Sequence, residues 1–219
     1  MSIISHNEKY VTEVTKWRCG LYNPRSMVDH NHLIWLLDYI DHNKIDTFVE
    51  IGVAMGGVLA LVAKISPNTK VIGLDSWEGM PEISKEDDQS HKRFEGVAWS
   101  KMNDVYDTFK KIEAPLTNLR LIKGFCEETI PQNIGMLTNI DILRLDIDWY
   151  KGTKFCLEAL YGNVKAGGLI IIDDYFWNLG CRQAVDEFLC ALDPKPDIHE
   201  LVGHEGQDFG PIHFFKYET

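Results

Sequence analysis

No apolar run among the 219 residues is long enough to cross a bilayer. The start, MSIISHNEKY, lacks the basic stretch and apolar core of an export signal. CxxC is absent, and the five cysteines, Cys19, Cys126, Cys156, Cys181 and Cys190, are scattered and odd in number. That argues against a disulfide framework or a zinc knuckle and for a reducing compartment. A basic excess is missing too: 33 Asp and Glu against 22 Lys and Arg give a formal charge of −11. Nucleic acid and anionic membrane surfaces both call for the opposite sign. Internal repeats and low-complexity tracts are also missing. By exclusion, the expectation is a cytoplasmic protein with no nucleic-acid or membrane partner.

What is present fits one α/β domain over residues 1–219. The hydrophobic fraction of 45% is ordinary for a globular chain, so a sizeable core is expected. Residues 1–46 read as a helical N-terminal extension, with an apolar stripe of Leu33, Ile34, Leu36, Leu37 and Ile40 in HNHLIWLLDYIDH. Five apolar runs follow: TFVEIGV, KVIGLD, LRLIKG, IDILRLDI and GLIIIDDY. GGVLALVAKIS, DVYDTFKKI, TKFCLEALYGNV and CRQAVDEFLCAL carry helical patterns. Such alternation predicts a parallel sheet with helices on both faces. The continuously apolar strands fit burial on both sides. IHELVG and PIHFFKY, joined by the turn-rich HEGQDFG, read as a hairpin that adds an antiparallel strand. The prediction is a Rossmann-like, seven-stranded, doubly wound sheet with an antiparallel last strand. Residues 81–103 are long, polar and weakly periodic, as expected of a lid or binding loop.

The first strand runs into Glu50-Ile51-Gly52-Val53-Ala54-Met55-Gly56-Gly57, which then opens a helix. Glycine at such a turn lets backbone approach a ligand, and the helix N-terminus presents free N–H groups. Position 54 is alanine, so the pattern is not GxGxxG and a phosphate cradle is disfavoured. A carboxylate-bearing nucleoside such as S-adenosylmethionine suits the same helix end. Asp75 closes the second strand 23 residues past Gly52, near the spacing at which an acid meets ribose hydroxyls. Its carboxylate can accept both bonds of a vicinal diol, with Ser76 and Trp77 beside it. Gly124, Phe125 and Cys126 follow the third strand, where the adenine would lie. Each motif alone has a plainer reading, a tight turn or a helix cap. Their order and spacing point to a nucleoside cofactor.

Asp146 and Asp148 close the fourth strand; Asp173 and Asp174 close the fifth. Four carboxylates at adjacent strand ends repel one another without a cation or proton. Oxygen-only ligands suit Mg²⁺. A bound Mg²⁺ gives methyl transfer a means of orienting an acceptor hydroxyl and lowering its pKa, and Asp146 or Asp148 could take the proton. The plainer alternative is that these acids cap helices or prefer the wet end of the sheet. His91, His204 and His213 are further base candidates, set against ordinary surface or structural roles. Trp99, Trp149 and Tyr175 fit either sugar stacking or packing. Arg144 is expected to pair with an acid and is given no catalytic part.

The segment from Phe48 to Phe188, about two-thirds of the chain, resembles the macrocin and mycinamicin type of sugar O-methyltransferases. The matching blocks are FVEIGVAMGG, GLDSWEGMP, KGFCEETIP, LRLDIDWYKGT, LEALYGNVKAGGLIIIDDY and GCRQAVDEF, in the family's order. The resemblance implies a class I, S-adenosylmethionine-dependent, Mg²⁺-dependent enzyme acting on a sugar hydroxyl of a glycoconjugate or natural product. It implies Asp146, Asp173 and Asp174 as metal ligands, with Asp146 or Asp148 near the transferred proton. It places Glu50, Gly52, Gly56, Asp75 and Ser76 in cofactor-binding blocks, with Gly124, Phe125 and Cys126 in the block after the third strand. It leaves room for a homo-oligomer formed through the N-terminal helices. Tyr150-Lys151-Gly152-Thr153 departs from the family's usual Tyr-Glu-Ser-Thr, and His213 stands where a different aromatic pattern is usual. A metal-dependent catechol or phenol O-methyltransferase, or a non-catalytic binding module on the same fold, are the competing expectations.

Overall fold

Hydrophobic alternation along the chain becomes a three-layer sandwich in the computed structural model, which describes residues 10, 11, 14, 30–98, 100–200 and 210–217. Seven strands form one sheet: β1 (Thr47–Ile51), β2 (Lys70–Asp75), β3 (Leu119–Lys123), β4 (Ile140–Leu145), β5 (Val164–Ile172), β6 (His199–Glu200) and β7 (Ile212–Phe215). Their spatial order is β3-β2-β1-β4-β5-β7-β6. The first five are mutually parallel; β7 runs antiparallel to β5, and β6 antiparallel to β7. This is the doubly wound sheet with a terminal hairpin that the sequence predicts. Residues 201–209, with His204 among them, Cys19 and Trp99 lie outside the described residues.

One face of the sheet is covered by α1 (His30–His42), α2 (Gly57–Ile65) and α3 (Met102–Ile112). The other carries α4 (Cys126–Asn133), α5 (Tyr150–Leu160) and α6 (Leu179–Cys190). Period-two alternation sorts the strand residues between them: Phe48, Val71 and Ile142 join the first core, Val49, Ile72 and Leu143 the second. Helix α2 buries all of Gly57–Ala63, as befits a segment without charge before Lys64. Helix α3 buries only Val105, Thr108, Phe109 and Ile112, the i, i+3, i+4, i+7 stripe of a surface helix. The reading of 1–46 as helical holds for 30–42; residues 1–9, 12–13 and 15–29 are outside the described set.

Two elements add to the sequence reading. Helix α4 carries Pro131 inside it, a residue that argues for a loop; burial of Thr129 and Ile130 holds the turn helical nonetheless. The 81–103 segment, read as a lid or binding loop, has internal structure. It contains a 3-10 helix, Gln89–Phe94, capped by Asp88 on the Ser90 N–H, and its last two residues enter α3.

The parallel order reverses between β1 and β4: chain-consecutive strands run outward from β1 through β2 to β3, then from β4 to β5. That switch point opens a crevice at the carboxyl ends of the strands.

Candidate active site

Strand pairing continues one residue past the strand ends and so fixes the crevice. Gly52 donates to Leu74 O, Asp146 to Ile51 O, Gly124 to Asp75 O and Asp173 to Leu145 O, all at 2.9–3.0 Å. Gly52 (φ 86°) lies against the Asp146 carbonyl so closely that any Cβ would collide with it. A side chain there is excluded both by conformation and by space.

Asp75 organises the turn beyond Gly52. Its Oδ2 accepts from Val53 N (2.9 Å) and Ala54 N (2.8 Å), and its Oδ1 from Trp77 N (2.7 Å). The Trp77 indole donates to Ala54 O at 2.9 Å and closes the same loop. Three of the carboxylate's roughly four lone-pair sites are thus taken by backbone, which leaves room for one hydroxyl bond rather than the two a free carboxylate could accept. Ser76 Oγ accepts from Glu78 N and donates to Gly79 O.

These residues line a cavity of about 420 Å³. Gly52, Ala54, Asp75, Ser76 and Trp77 form one wall, and Gly124, Phe125 and Cys126 the next. The 81–98 segment supplies the facing wall through Pro81, His91, Phe94, Val97 and Ala98. Asp146, Asp148, Trp149 and Asn178 complete it. Two predicted cofactor residues are not in the lining. Glu50 is 1% exposed and points to Arg144; Gly56 packs against the Val105 side chain of α3. The first is a buried carboxyl paired with arginine, and the second a helix-packing contact.

The segment that forms the facing wall is latched. Asp87 is buried and accepts from Ser84 N (2.7 Å), Ser84 Oγ (2.8 Å) and Tyr150 N (2.8 Å). The last bond satisfies a free N–H at the first turn of α5. Gly96 N donates to Met80 O, so the segment also closes on itself.

Beside the cavity lies the acid cluster. Asp146, Asp173 and Asp174 offer carboxylate oxygens within 4.8 Å of one another. The repulsion expected among them is partly met from inside. Arg144 is fully buried, with Nη1 donating to Glu50 Oε1 (2.7 Å) and Asp146 Oδ2 (2.8 Å) and Nη2 to Asp173 Oδ1 (2.6 Å). His32 of α1 stands behind, its Nδ1 3.8 Å from Asp173 Oδ1. Burial is the main cause of the pKa shifts here. It pushes Glu50 up to about 8 against the pull of Arg144. With the charge of Asp173 it pushes Asp146 up to about 6, and with that of Asp146 it pushes Asp148 up to about 7. Asp174 is raised by burial and by the charges of Asp148, Asp146 and Asp173. One arginine does not neutralise five acids, and repulsion among the carboxylates adds to the upward push of burial.

Asp148 is held apart from the trio. It has φ 60°, an uncommon conformation for a non-glycine residue. Its N–H donates to Asp174 Oδ2 (3.2 Å), and its Oδ1 accepts from Asn178 Nδ2 (3.0 Å). Asn178 is the N-cap of α6, yet its side chain makes no capping bond there. His91 faces Asp148 electrostatically and packs 5.6 Å from the Trp149 ring. Of the other histidine and aromatic candidates, His213 packs on Trp35 at 4.5 Å, and Tyr175 donates to Asp186 at 2.7 Å. Neither lines the cavity. Sequence reasoning missed Asp87 and Asn178; a cap-type residue just before GCR is the one signal that marked Asn178.

With the geometry in hand, the comparisons are specific. The family model for Macrocin-O-methyltransferase (TylF) matches residues 26–201. The demethyldecarbamoylnovobiocin O-methyltransferase of Streptomyces niveus is 29% identical over 172 residues, covering 74% of this chain and 64% of the relative. The 8-demethyl-8-(2,3-dimethoxy-alpha-L-rhamnosyl)-tetracenomycin-C 4'-O-methyltransferase of Streptomyces olivaceus is 32% identical over 166 residues, covering 71% and 62%. The chain spans a little under two thirds of the length of these two relatives. Among solved structures, the O-methyltransferase NovP superposes with a TM-score of 0.73 at 23% identity, over 97% of this chain and 89% of that one. The calicheamicin methyltransferase CalS11 gives 0.64 at 19%, over 98% and 94%. Likeness at such identities shows a shared fold.

Proposed function

The chain belongs to the Macrocin-O-methyltransferase (TylF) family, and on that premise we propose that it methylates a sugar hydroxyl of a glycoconjugate or natural product, with S-adenosylmethionine as donor and Mg²⁺ as aid. The observation that carries this reading is the meeting of two walls in one crevice. The nucleoside-type loops after β1, β2 and β3 share a cavity with Asp146 and Asp148 after β4, and Asp173 and Asp174 after β5 offer carboxylate oxygens within 4.8 Å of that of Asp146.

S-adenosylmethionine, when bound, supplies a methyl group activated by its sulfonium. Gly52, Asp75, Ser76 and Trp77 would hold its ribose side, and Phe125 and Cys126 its base. The donor set of Asp146, Asp173 and Asp174 fits Mg²⁺: it is oxygen-only, closely spaced, and carries more negative charge than Arg144 offsets. When held there, Mg²⁺ would orient the acceptor oxygen and lower its pKa. The remaining work belongs to the chain. His91, Phe94 and Trp149 enclose the acceptor side of the cavity and exclude water. Asp148 takes the acceptor proton on its carboxylate; Asn178 holds Oδ1, so Oδ2 is the receiving atom. A carboxylate raised to about 7 is a suitable base near neutrality. The sugar is the favoured acceptor because one curated relative's name specifies a methyl placed on a rhamnosyl 4'-hydroxyl.

The test is transfer of labelled methyl to a panel of glycosides and catechols, with and without Mg²⁺ after chelator treatment. Mg²⁺-dependent labelling of glycosides is expected, and Asp148→Asn should lower kcat by about 10²–10⁴-fold. Labelling of free catechols alone would replace the sugar with a phenol acceptor. Labelling that ignores chelation would remove the metal.

A further inference from the structure

A buried arginine is costly unless its charge is met, and one that meets three acids does more than offset them. Arg144 lies on β4, paired with Glu50 of β1 on one side and Ile171 of β5 on the other. Its side chain therefore sits under the ends of three adjacent strands. Period-two geometry puts Arg144 and Asp146 on the same side of β4, and Ile171 and Asp173 on the same side of β5. The planar guanidinium engages a single oxygen of each acid: Oε1 of Glu50, Oδ2 of Asp146 and Oδ1 of Asp173. That leaves each of Asp146 and Asp173 an oxygen Arg144 does not hold, and the two acids and Asp174 offer carboxylate oxygens within 4.8 Å of one another. The side chains of Asp146 and Asp173 keep 28% and 18% exposure, while that of Arg144 has 1%. The arginine is thus on the interior side, while both acids keep some access to solvent and Asp146 lines the crevice.

We propose that Arg144 is a positioning residue for the cation site. It clamps one oxygen of Asp146 and one of Asp173 from within, so that their second oxygens and Asp174 form a preset site for a divalent cation. The fork geometry matters as much as the charge. Lysine, a point charge on a flexible stem, cannot hold carboxylates on three strands at fixed orientation. Groups behind metal ligands commonly tune affinity in this way. This inference rests on reading Asp146, Asp173 and Asp174 as Mg²⁺ ligands.

Calorimetric titration of Mg²⁺ into chelator-treated protein saturated with S-adenosylhomocysteine tests it. Wild type is compared with Arg144→Lys, after circular dichroism shows both folded. Mg²⁺ binding should weaken by about 10–100-fold in the variant while S-adenosylhomocysteine affinity stays within about threefold. A merely structural arginine would not separate the two ligands. Equal Mg²⁺ affinity in variant and wild type overturns the proposal. Wild type that binds S-adenosylhomocysteine but no Mg²⁺ overturns the ligand reading and the proposal with it, and so the two failures differ. Should Arg144→Lys not fold, the double variant Arg144→Gln with Glu50→Gln removes one charge of each sign and is titrated in its place.

Discussion

Asp173 and Asp174 are neighbours in sequence with opposite relations to the buried Arg144. Asp173 is paired with Arg144 at 2.6 Å. Asp174 has no such partner in the described structure; its acidity is suppressed by burial and by three other carboxylates. Their neutral variants should therefore diverge in metal-free protein. Asp173→Asn breaks a buried pair and should lower stability by roughly 3 kcal/mol. Asp174→Asn relieves repulsion and should raise it by roughly 0.5–2 kcal/mol. Both should lose turnover while keeping S-adenosylhomocysteine binding. Urea unfolding in chelator gives the stability difference; the same sign in both variants would contradict the charge balance described. The four acids and Asp75 were legible in the sequence because strand-end carboxylates announce themselves by position. Arg144 was legible only as the partner of an acid, not as the partner of three, and Asn178 and Asp87 were not legible, because their partners lie 94, 30 and 63 residues away. For Asp75, spacing located the residue, but only the fold shows it spending three bonds on the Gly52 turn.

At the level of elements, the segment before α3 and the α1–β7 contact each make a prediction. Asp87 ties the facing wall to the start of α5. Asp87→Ala leaves the Tyr150 and Ser84 N–H groups without that acceptor, which should cost on the order of 2–3 kcal/mol. It should also raise KM for the acceptor more than for S-adenosylmethionine, measured in the same steady-state assay. His213 of β7 packs between Trp35 of α1 and His199 of β6, and burial and then the nearby His199 lower its pKa to about 4. His32, behind it on α1, is lowered by burial, by Arg144 and by His213. The folded form keeps these rings neutral, while the unfolded chain takes up protons near pH 6.5. Stability is thus present above pH 6.5 and is lost as pH falls towards about 4. Asp146 and Asp148, raised to about 6 and about 7, act with the opposite sign in the same window, so the histidine contribution is read as a difference: thermal unfolding should show wild type losing stability relative to His213→Phe as pH falls, and a constant difference would contradict it. Strands and amphipathic helices were readable from periodicity. Helix α4 was not, because Pro131 masks it, and the 3-10 turn at 89–94 was not, because its support comes from Asp87 and Asp88 rather than from apolar spacing.

At the scale of the whole molecule, the sheet order itself makes the site. Reversal between β1 and β4 brings residues from 52 to 178 into one crevice. No helix among the described residues is long and apolar enough to cross a membrane. The strand–helix rhythm made the sheet legible, and the glycine and acid motifs at strand ends made the crevice legible. The facing wall was legible as a lid or binding loop over 81–103, but its internal order was not, since that depends on tertiary latches. The most direct measurement is calorimetric titration of S-adenosylhomocysteine into purified, chelator-treated protein. The account predicts saturable binding of one ligand per chain, competed by S-adenosylmethionine. Absence of binding to protein shown to be folded would contradict it and leave the crevice without its cofactor.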